Sequence, residues 1–329
     1  MATYKALISL PSTFQPLLAS ARSILESHDF EVIERWLDTG IPKPELLRLV
    51  SDIHGFIVGL DIIDEEVLAA APKLRVLSKH GIGTDNINIP AATRRGIVVA
   101  NTPGTNSSAV ADLAIGLMIC IARKVLRSNA TVRKGQLVPL LGPELEGKTL
   151  GIIGVGNIGK KVARRALAFG MRVIGNDLIE NAAFAAETGV RYVSKDEIFR
   201  ASHFITLHTP LTPETRDMIG KQEILRMRDG AYLINTARGG VVDEDAVAQA
   251  LIEGKLAGAA FDAFAIEPPA LNCALFKAPN VLLTTHMGGS TPEAIQRAGD
   301  LAAWNIVNVL QGKRPVNTLN PEIVYGMIS

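Results

Sequence analysis

Cysteine, aromatic residues, net charge and long apolar runs are all scarce in this sequence of 329 residues. Its two cysteines, Cys120 and Cys273, are too few for a disulfide framework and too far apart for a metal motif, so we expect no metal site and a reducing cytoplasm. The net charge of +1 gives no global field for nucleic acid or an anionic membrane. The apolar stretch 113–122 is about half a membrane span, and the N-terminus lacks the apolar core of a signal peptide. The sequence therefore predicts a cytoplasmic protein without nucleic-acid or membrane partners.

Short apolar runs are abundant, and they alternate with segments of helical period through the first hundred residues. The alternation restarts after the turn-rich segment 101–108. Among other elements, the patterns predict a helix over 14–28, a strand over 231–235 and a last long helix over 292–311. This pattern is typical of a parallel sheet with helices on both faces. At this length we expect two α/β domains, with a boundary near residues 101–105.

The most informative segment is 150–177, LGIIGVGNIGKKVARRALAFGMRVIGND. An apolar run predicts a buried strand, and Gly154, Gly156 and Gly159 follow it with the spacing G-x-G-x-x-G. A helical pattern and a second strand come next, and Asp177 closes the unit. The glycines permit a tight turn, close approach of a pyrophosphate, and packing of the helix on the strand. With the positive end of the helix at the phosphates, the segment predicts a dinucleotide site.

Asp177 also indicates which dinucleotide binds. Its carboxylate can accept hydrogen bonds from a ribose 2′-hydroxyl but would repel a 2′-phosphate, so we expect NAD rather than NADP. A basic cluster in the helix could suggest the opposite choice, but we interpret it as the solvated helix face. The cluster comprises Lys160, Lys161, Arg164 and Arg165.

Three residues are candidates for chemistry beside a nicotinamide, where reduction of a carbonyl needs a proton donor and histidine is the usual one. His286 ends a predicted strand and enters a glycine turn, the place where open α/β sheets bind ligands. Arg238 and Glu267 also follow predicted strands. An arginine can hold a carboxylate through two parallel bonds, and a glutamate can stabilise an imidazolium. From the residues alone, each of the three could equally pin a loop or lie on the surface.

Seven sequence blocks and their order decide between these interpretations. The blocks are SKHGIGTDNINI, ANTPGTNSSAVADLAIG, GVGNIG, LHTPLTPETRDMIG, LINTARGGVVDEDA, FDAFAIEPP and THMGGSTPEA. In these blocks the chain resembles the D-2-hydroxyacid dehydrogenases (D-isomer specific) over nearly its whole length, and it is most similar to their short-form 3-phosphoglycerate dehydrogenase-like branch. The resemblance implies that Arg238 binds the substrate carboxylate and polarises the 2-oxo group. It also implies that His286 is the acid–base catalyst and Glu267 its partner.

The resemblance implies further contacts with cofactor and substrate. Besides the three glycines and Asp177, the implied NAD-binding residues are Asn157, Ile158, Thr209, Thr236, Ala237, Arg238, Asp262, His286, Gly288 and Gly289. The implied substrate-binding residues are Lys79, Gly81, Ile82, Gly83 and Arg238. Glycines in the loop 79–83 would free backbone N–H groups to converge on an anion.

The implied fold is α/β, with two Rossmann-like domains built on doubly wound parallel sheets. The NAD-binding domain, 104–292, would be inserted into a flavodoxin-like substrate-binding domain formed by 1–103 plus 293–329. The helix 110–123 would help to form a homodimer.

The sequence leaves the substrate open within the small 2-oxo and D-2-hydroxy acids. The 3-phosphoglycerate branch carries a phosphate-binding arginine after the strand near residue 58, where this chain has Gly59 and then Asp61. An acid beside a phosphate would be repulsive. The alternatives are therefore 3-phosphoglycerate dehydrogenase proper and a hydroxypyruvate or glyoxylate reductase. A different class, an NAD-sensing module like the C-terminal binding proteins, also keeps such residues.

Overall fold

The structure is a computed structural model that describes residues 4–326. Residues 327–329 of the predicted substrate domain, like residues 1–3, lie outside the described residues. The chain forms two compact units: the first extends to Asn106 and resumes at Gly289, and the second is Ser107–Gly288. As functional assignments, the substrate domain 1–103 plus 293–329 and the NAD domain 104–292 stay predictions.

The first unit contains a parallel sheet of five strands in the order β2-β1-β3-β4-β5. Its strands are β1 (Tyr4–Leu10), β2 (Phe30–Trp36), β3 (Gly55–Val58), β4 (Val76–Lys79) and β5 (Val98–Ala100). This is the strand order of flavodoxin-like folds, in which ligands bind beyond the carboxyl ends of the strands. Every residue of β3 and β4 is buried. The apolar sequence of β3 suits a strand that is covered on both faces, whereas β4 ends in the buried polar residues Ser78 and Lys79.

Short helices connect these strands. They are α1 (Ala19–Glu26), α2 (Lys43–Val50), α3 (Glu65–Ala69) and α4 (Ile89–Arg94). A helix predicted over 14–28 is instead a 3₁₀ helix, Ser12–Leu17, followed by α1. Pro16 explains the difference, because it has no N–H to continue an α-helical ladder.

The second unit contains a parallel sheet of seven strands in the order β12-β11-β10-β9-β6-β7-β8. Its strands are β6 (Thr149–Ile153), β7 (Arg172–Asn176), β8 (Arg191–Tyr192), β9 (Phe204–Leu207), β10 (Ala231–Asn235), β11 (Leu256–Phe261) and β12 (Val281–Leu283). Read outward from β6 in both directions, this is the Rossmann order extended by one strand. The order reverses between β6 and β9, which places a ligand crevice beyond their carboxyl ends.

The helices of the second unit pack on both faces of its sheet. They are α5 (Ser107–Ala122), α6 (Val125–Val132), α7 (Asn157–Ala168), α8 (Ala182–Thr188), α9 (Lys195–Ala201), α10 (Lys221–Arg226) and α11 (Glu244–Ile252). The apolar helix α5 belongs to the core, where Ala111, Ala114 and Met118 are fully buried against the sheet and α7. No helix in the described part of the chain is long and apolar enough to cross a membrane.

The chain then returns to the first unit through α12 (Pro292–Leu310) and α13 (Pro321–Gly326). Ala302, Ala303 and Ile306 of α12 are fully buried in the core that also contains α1 and β1 residues. The tail after residue 312, which shows little periodicity in sequence, is fixed in part by Asn320. Its side chain bonds the Val99 N–H and the Ile97 carbonyl at 2.8 and 2.9 Å.

Candidate active site

The glycine turn between β6 and α7 has the features that a pyrophosphate needs. Gly154 has φ +94°, and a Cβ atom there would lie 2.6 Å from the His208 carbonyl oxygen. A Cβ atom at Gly159 would lie 2.1 Å from the Gly154 carbonyl oxygen, so helix and strand pack at glycine distance. Gly156, by contrast, has no atom within 4 Å of its Cβ position and caps α7 without a side-chain hydrogen bond. The N-terminus of α7 is therefore open to an anion.

Asp177 lies directly after β7 and faces this turn. Its carboxylate accepts the Val155 N–H at 2.6 Å and the Ile179 N–H at 3.2 Å. These bonds orient the carboxylate beside the glycines, where a ribose hydroxyl could donate to the lone pairs that remain. Leu178 and Ile179 follow as exposed apolar side chains.

The predicted basic cluster on α7 is mostly engaged within the unit. Arg164 donates to both carboxylate oxygens of Glu187 at 2.8 and 2.9 Å. Arg165 donates to Asp112 at 2.6 Å and to the Ser108 hydroxyl at 2.8 Å. Lys160 lies over the ring of Phe184. These contacts give the cluster structural partners and agree with an NAD site.

Buried hydroxyls without partners mark the ends of the adjacent strands β9 and β10. Thr209 Oγ1 and Thr236 Oγ1 are buried and have no hydrogen-bond partner among the described residues. Such atoms are costly unless a ligand or water satisfies them. His208 lies in the same region, with Nε2 at 3.0 Å from Thr206 Oγ1 and Nδ1 buried without a described partner. Burial lowers the pKa of His208 to about 3, so the ring is neutral near pH 7.

The Arg238 segment is fixed by the last residue of β10. The Asn235 side chain accepts the Ala237 N–H at 3.1 Å and donates to the Arg238 carbonyl at 2.9 Å. The guanidinium of Arg238 donates to the Ala237 carbonyl at 2.8 Å. Arg238 is half-buried, and a 3₁₀ turn, Gly239–Val241, follows it.

Glu267 and His286 form a direct pair. His286 Nδ1 lies 2.9 and 2.8 Å from the two carboxylate oxygens of Glu267. Glu267 also accepts the Phe264 N–H at 3.0 Å, which fixes its loop. Both side chains are about half exposed, His286 at 46% and Glu267 at 40%. A half-exposed histidine on a carboxylate can accept and release a proton, as an acid–base catalyst must.

Asp262 organises the turn after His286. The carboxylate is 2% exposed. It accepts the Met287 and Gly288 N–H groups at 2.8 Å and the Thr284 hydroxyl at 2.6 Å. A Cβ atom at Gly288 would come within 2.9 Å of this carboxylate. The predicted contact of Asp262 with nicotinamide stays a prediction, while its visible function is to hold the His286 turn.

The predicted substrate loop lies in the first unit. Gly81 has φ +119°, its N–H donates to Thr102 Oγ1 at 2.8 Å, and Ile82 is 38% exposed. Lys79 is 9% exposed, and its ammonium donates to the Gly59 carbonyl and, at 3.0 Å, to Asn86 Oδ1. The amide that Gly81 was expected to offer an anion is thus already bonded, and Gly83 follows it in the same loop.

The segment 59–61, which follows the strand near residue 58 and has no arginine, is closely packed. A Cβ atom at Gly59 would lie 2.5 Å from the Ser9 carbonyl oxygen, so the position excludes a side chain. Asp61 is 2% exposed and accepts the Ser9 hydroxyl at 2.9 Å and the Ile41 N–H at 2.8 Å. Asp61 is a structural acid here rather than a surface charge.

Of the predicted site residues, the second unit brings Glu267 and His286 into contact, with Asp262 bonded to the turn after His286. Gly239, next to Arg238, packs against the loop of Glu267, and the glycine turn belongs to the same unit. Gly289 belongs to the first unit, where its Cβ position lies 3.3 Å from the Asn106 side chain. Sequence reasoning missed Asn235, which fixes the Arg238 segment, and Glu244, which accepts the Ala265 N–H in the loop of Glu267. Asn235 ends a strand three residues before Arg238, and that position was a usable signal. No group of three potential metal ligands occurs among residues 4–326.

This sheet order, glycine turn and acid–base pair define an NAD-dependent dehydrogenase. A family model described as D-isomer specific 2-hydroxyacid dehydrogenase, NAD binding domain, matches residues 115–288. A glyoxylate reductase of Korarchaeum cryptofilum is 41% identical over 310 residues, which cover 92% of this chain and 93% of the relative. A D-3-phosphoglycerate dehydrogenase of Methanocaldococcus jannaschii is 42% identical over 309 residues, which cover 93% of this chain and 58% of the relative. A solved D-lactate dehydrogenase from Aquifex aeolicus, complexed with NAD and lactic acid, has a TM-score of 0.79 and 28% identity over 98% of each chain.

The chain belongs to the D-isomer specific 2-hydroxyacid dehydrogenase family. It is an oxidoreductase that uses NAD to interconvert 2-oxo acids and D-2-hydroxy acids. The predicted family, fold class, cofactor and reaction type are therefore confirmed.

Proposed function

We propose that the protein reduces a small, unphosphorylated 2-oxo acid of the glyoxylate or hydroxypyruvate type to its 2-hydroxy acid. The observation that carries the proposal is the contact of His286 with Glu267 in a site whose neighbouring loop supplies Arg238. A proton donor, its carboxylate partner and a carboxylate-binding cation are the three groups that this reduction needs.

Each of the three residues has a separate role in this proposal. Arg238 binds the substrate carboxylate and polarises the 2-oxo group, because a guanidinium can donate two parallel bonds. His286 gives its proton to the oxygen of the carbonyl as that oxygen gains charge. Glu267 holds the ring through Nδ1 and stabilises the imidazolium before the proton is given up.

The second unit provides the residues that would hold NAD. The glycine turn and the N-terminus of α7, with Asn157 and Ile158, fit the pyrophosphate, and Asp177 fits the ribose. The unsatisfied hydroxyls of Thr209 and Thr236 suit further polar atoms of the cofactor. When bound as NADH, the cofactor supplies the hydride.

The first unit supports the choice of an unphosphorylated substrate. A phosphate needs a cation at the loop 59–61, but Gly59 has no space for a side chain and the next residue, Leu60, is apolar and 54% exposed. Lys79 is buried, and its ammonium donates to the Gly59 carbonyl and to Asn86. We therefore propose that it stabilises the loop 59–61 rather than binding substrate. The backbone amides of Ile82 and Gly83 would contact the carboxylate of a small substrate, because the Gly81 N–H already donates to Thr102.

Oxidation of NADH with a panel of acids tests this function. We expect turnover with glyoxylate and hydroxypyruvate, and a lower kcat/KM with phosphohydroxypyruvate. Preference for phosphohydroxypyruvate would instead indicate a 3-phosphoglycerate dehydrogenase. Binding of NADH without turnover of any 2-oxo acid would indicate an NAD-sensing module and contradict the proposal.

We further propose that the enzyme is a homodimer formed through α6 and the segment after it. The helix predicted for this role, 110–123, instead buries Ala111, Ala114 and Met118 in the core of its own unit. Helix α6 buries none of its residues in its own unit, and the exposed apolar side chains there form a continuous sequence region. They are Val125, Leu126, Val132, Leu137, Val138 and Leu141. Apolar surface of this extent is typical of a subunit interface.

Light scattering should give the mass of a dimer for the wild type. The double variant Leu126→Lys with Leu141→Lys should give a folded monomer. A wild-type monomer would contradict the proposal.

We place this enzyme in the cytoplasm, as its cysteine content predicts. Cys120 and Cys273 are both free thiols, the form that persists in a reducing compartment. Fractionation of source cells should recover the activity with cytoplasmic markers, and recovery with secreted proteins would contradict this assignment.

A further inference from the structure

Two successive N–H groups in the loop after β11 are each held by a carboxylate. The Phe264 N–H donates to Glu267 Oε1 at 3.0 Å, within the loop itself. The Ala265 N–H donates at 2.7 Å to Glu244 Oε1, which comes from α11. The loop that carries Glu267 is therefore tied to a distant helix through Glu244.

The same loop packs against the segment that carries Arg238. A Cβ atom at Gly239 would lie 1.8 Å from the Phe264 carbonyl carbon and 2.0 Å from the Ala265 nitrogen. A glycine at this position is required for the two segments to touch. The loop of Glu267 therefore contacts both the segment of Arg238, through Gly239, and α11, through Glu244.

Glu244 is not needed to cap its own helix. Asp243 is the N-cap of α11 and accepts the Ala246 N–H at 3.0 Å. Glu244 is the first residue after this cap, and its side chain reaches out to the loop instead. Its contact with Ala265 is therefore separate from helix formation.

The chemistry of this position disfavours a negative charge. Burial raises the pKa of Glu244, and the charges of Asp245, Glu267 and Asp243 raise it further, while the Ala265 N–H lowers it. A neutral glutamine has the same length and could also accept the Ala265 N–H. Loop pinning alone therefore gives no reason for an acid here.

We propose that Glu244 is a positioning residue for the His286–Glu267 pair, holding the Glu267 loop in place and adding its negative charge to that of Glu267. This inference rests on the proposed function, because it takes His286 as the proton donor. The hydrogen bond from the Ala265 N–H to Glu244 holds the loop two residues before Glu267, and so restricts the position of the Glu267 carboxylate. The charge stabilises protonated His286 together with Glu267.

Substitutions at Glu244 separate the two effects. Glu244→Gln keeps the length and an acceptor oxygen but removes the charge, and Glu244→Ala removes both. The matched control is Glu253→Gln, the same substitution at the exposed end of α11, where solvent and salt screen the charge. Each variant is assayed for kcat and KM with glyoxylate or hydroxypyruvate, for NADH affinity, for melting temperature and for the pH dependence of kcat.

We expect Glu244→Gln to keep the wild-type melting temperature and NADH affinity. Its kcat should fall at alkaline pH sooner than that of the wild type, because protonated His286 loses a stabilising charge. In Glu244→Ala, kcat should fall about tenfold with little change in KM, because the pair is misaligned after the substrate has bound. Glu253→Gln should match the wild type in every measurement.

A wild-type pH profile in Glu244→Gln would overturn the inference. A loss of melting temperature or NADH affinity in that variant, with an unmoved pH profile, would show a structural role and overturn it as well. The variant His286→Asn separates these failures from failure of the proposed function. If His286→Asn retains turnover, the assignment of the proton donor fails; if it is inactive while Glu244→Gln is unchanged, only the present inference fails.

Discussion

Both carboxylate oxygens of Glu267 lie within hydrogen-bond distance of His286 Nδ1, at 2.9 and 2.8 Å. Nδ1 is committed to the glutamate, so Nε2 is the ring nitrogen that can exchange a proton with the substrate. His286 holds this position with φ +54°, a left-handed conformation that is costly for a residue with a side chain. Asp262 enforces it through its bonds to the next two N–H groups, of Met287 and Gly288. The turn is thus built to present one ring in one orientation.

Replacing Arg238 should weaken substrate binding and slow the reaction together. Lysine keeps the charge but not the planar fork, so Arg238→Lys should lower kcat/KM about tenfold or more, and Arg238→Ala about a hundredfold or more. Steady-state kinetics with a 2-oxo acid and saturating NADH would measure both. Arg200→Ala is the control, because Arg200 is exposed and pairs with Asp196, one turn earlier in its own helix α9. An unchanged KM and kcat in Arg238→Ala would exclude the assigned role.

Removing the charge of Asp177 should relax the preference for NADH over NADPH. Asp177→Asn keeps an oxygen for the turn but no longer repels a 2′-phosphate, so the ratio of kcat/KM for the two cofactors should shift about tenfold or more toward NADPH. The exposed Glu180, three residues on, provides the control variant Glu180→Gln. If the ratio stays constant in Asp177→Asn, another group selects the cofactor.

Alanine variants should separate the packing role of Gly159 from the cofactor-binding role of Gly156. Gly159→Ala places a methyl group 2.1 Å from the Gly154 carbonyl oxygen. Such a contact costs about 1–3 kcal/mol of unfolding free energy, which urea denaturation would detect. Gly156→Ala meets no atom within 4 Å, so it should retain stability and lose affinity for NADH. Equal stability of the two variants, or full NADH affinity in Gly156→Ala, would contradict this division.

Acid should destabilise the protein partly through His80. Burial lowers the pKa of His80 from 6.5 to about 4, and its Nε2 lies 3.0 Å from the Ile295 carbonyl. In the unfolded chain His80 is protonated below about pH 6.5, whereas in the folded chain it is protonated only below about pH 4. The stability therefore falls as the pH falls through this window. His80→Gln keeps an N–H for the carbonyl but does not titrate. Its urea midpoint should depend less on pH between 6.5 and 4, and an unchanged dependence would refute this origin.

The sequence predicted much of the framework because its signals are local. Strand β10 runs over the predicted range 231–235, and α12 begins at the predicted Pro292. Helix α4 and strand β5 were not predicted, since six and three residues are too few to show a period. The glycine turn could be interpreted in sequence because each glycine acts within a few residues.

Contacts between distant segments could not be predicted in this way. Glu244 and Ala265 are 21 residues apart, and nothing in either local sequence indicates that they meet. The sequence suggested that Asp61 is a charge that would repel a phosphate. In the structure its side chain is buried and accepts hydrogen bonds from Ser9, 52 residues away, and from Ile41, 20 residues away. Whether a carboxylate faces solvent or pins a loop depends on packing that a linear pattern does not contain.

The most direct test of the account is the variant His286→Asn. Asparagine tolerates the left-handed backbone of this position better than alanine and has no titratable ring, so the turn should survive while the proton donor is lost. NADH binding is measured by fluorescence titration, and turnover by NADH oxidation with glyoxylate and hydroxypyruvate. The account predicts wild-type NADH affinity with kcat lowered about 10²- to 10⁴-fold. A variant that retains wild-type kcat with intact NADH binding would contradict it.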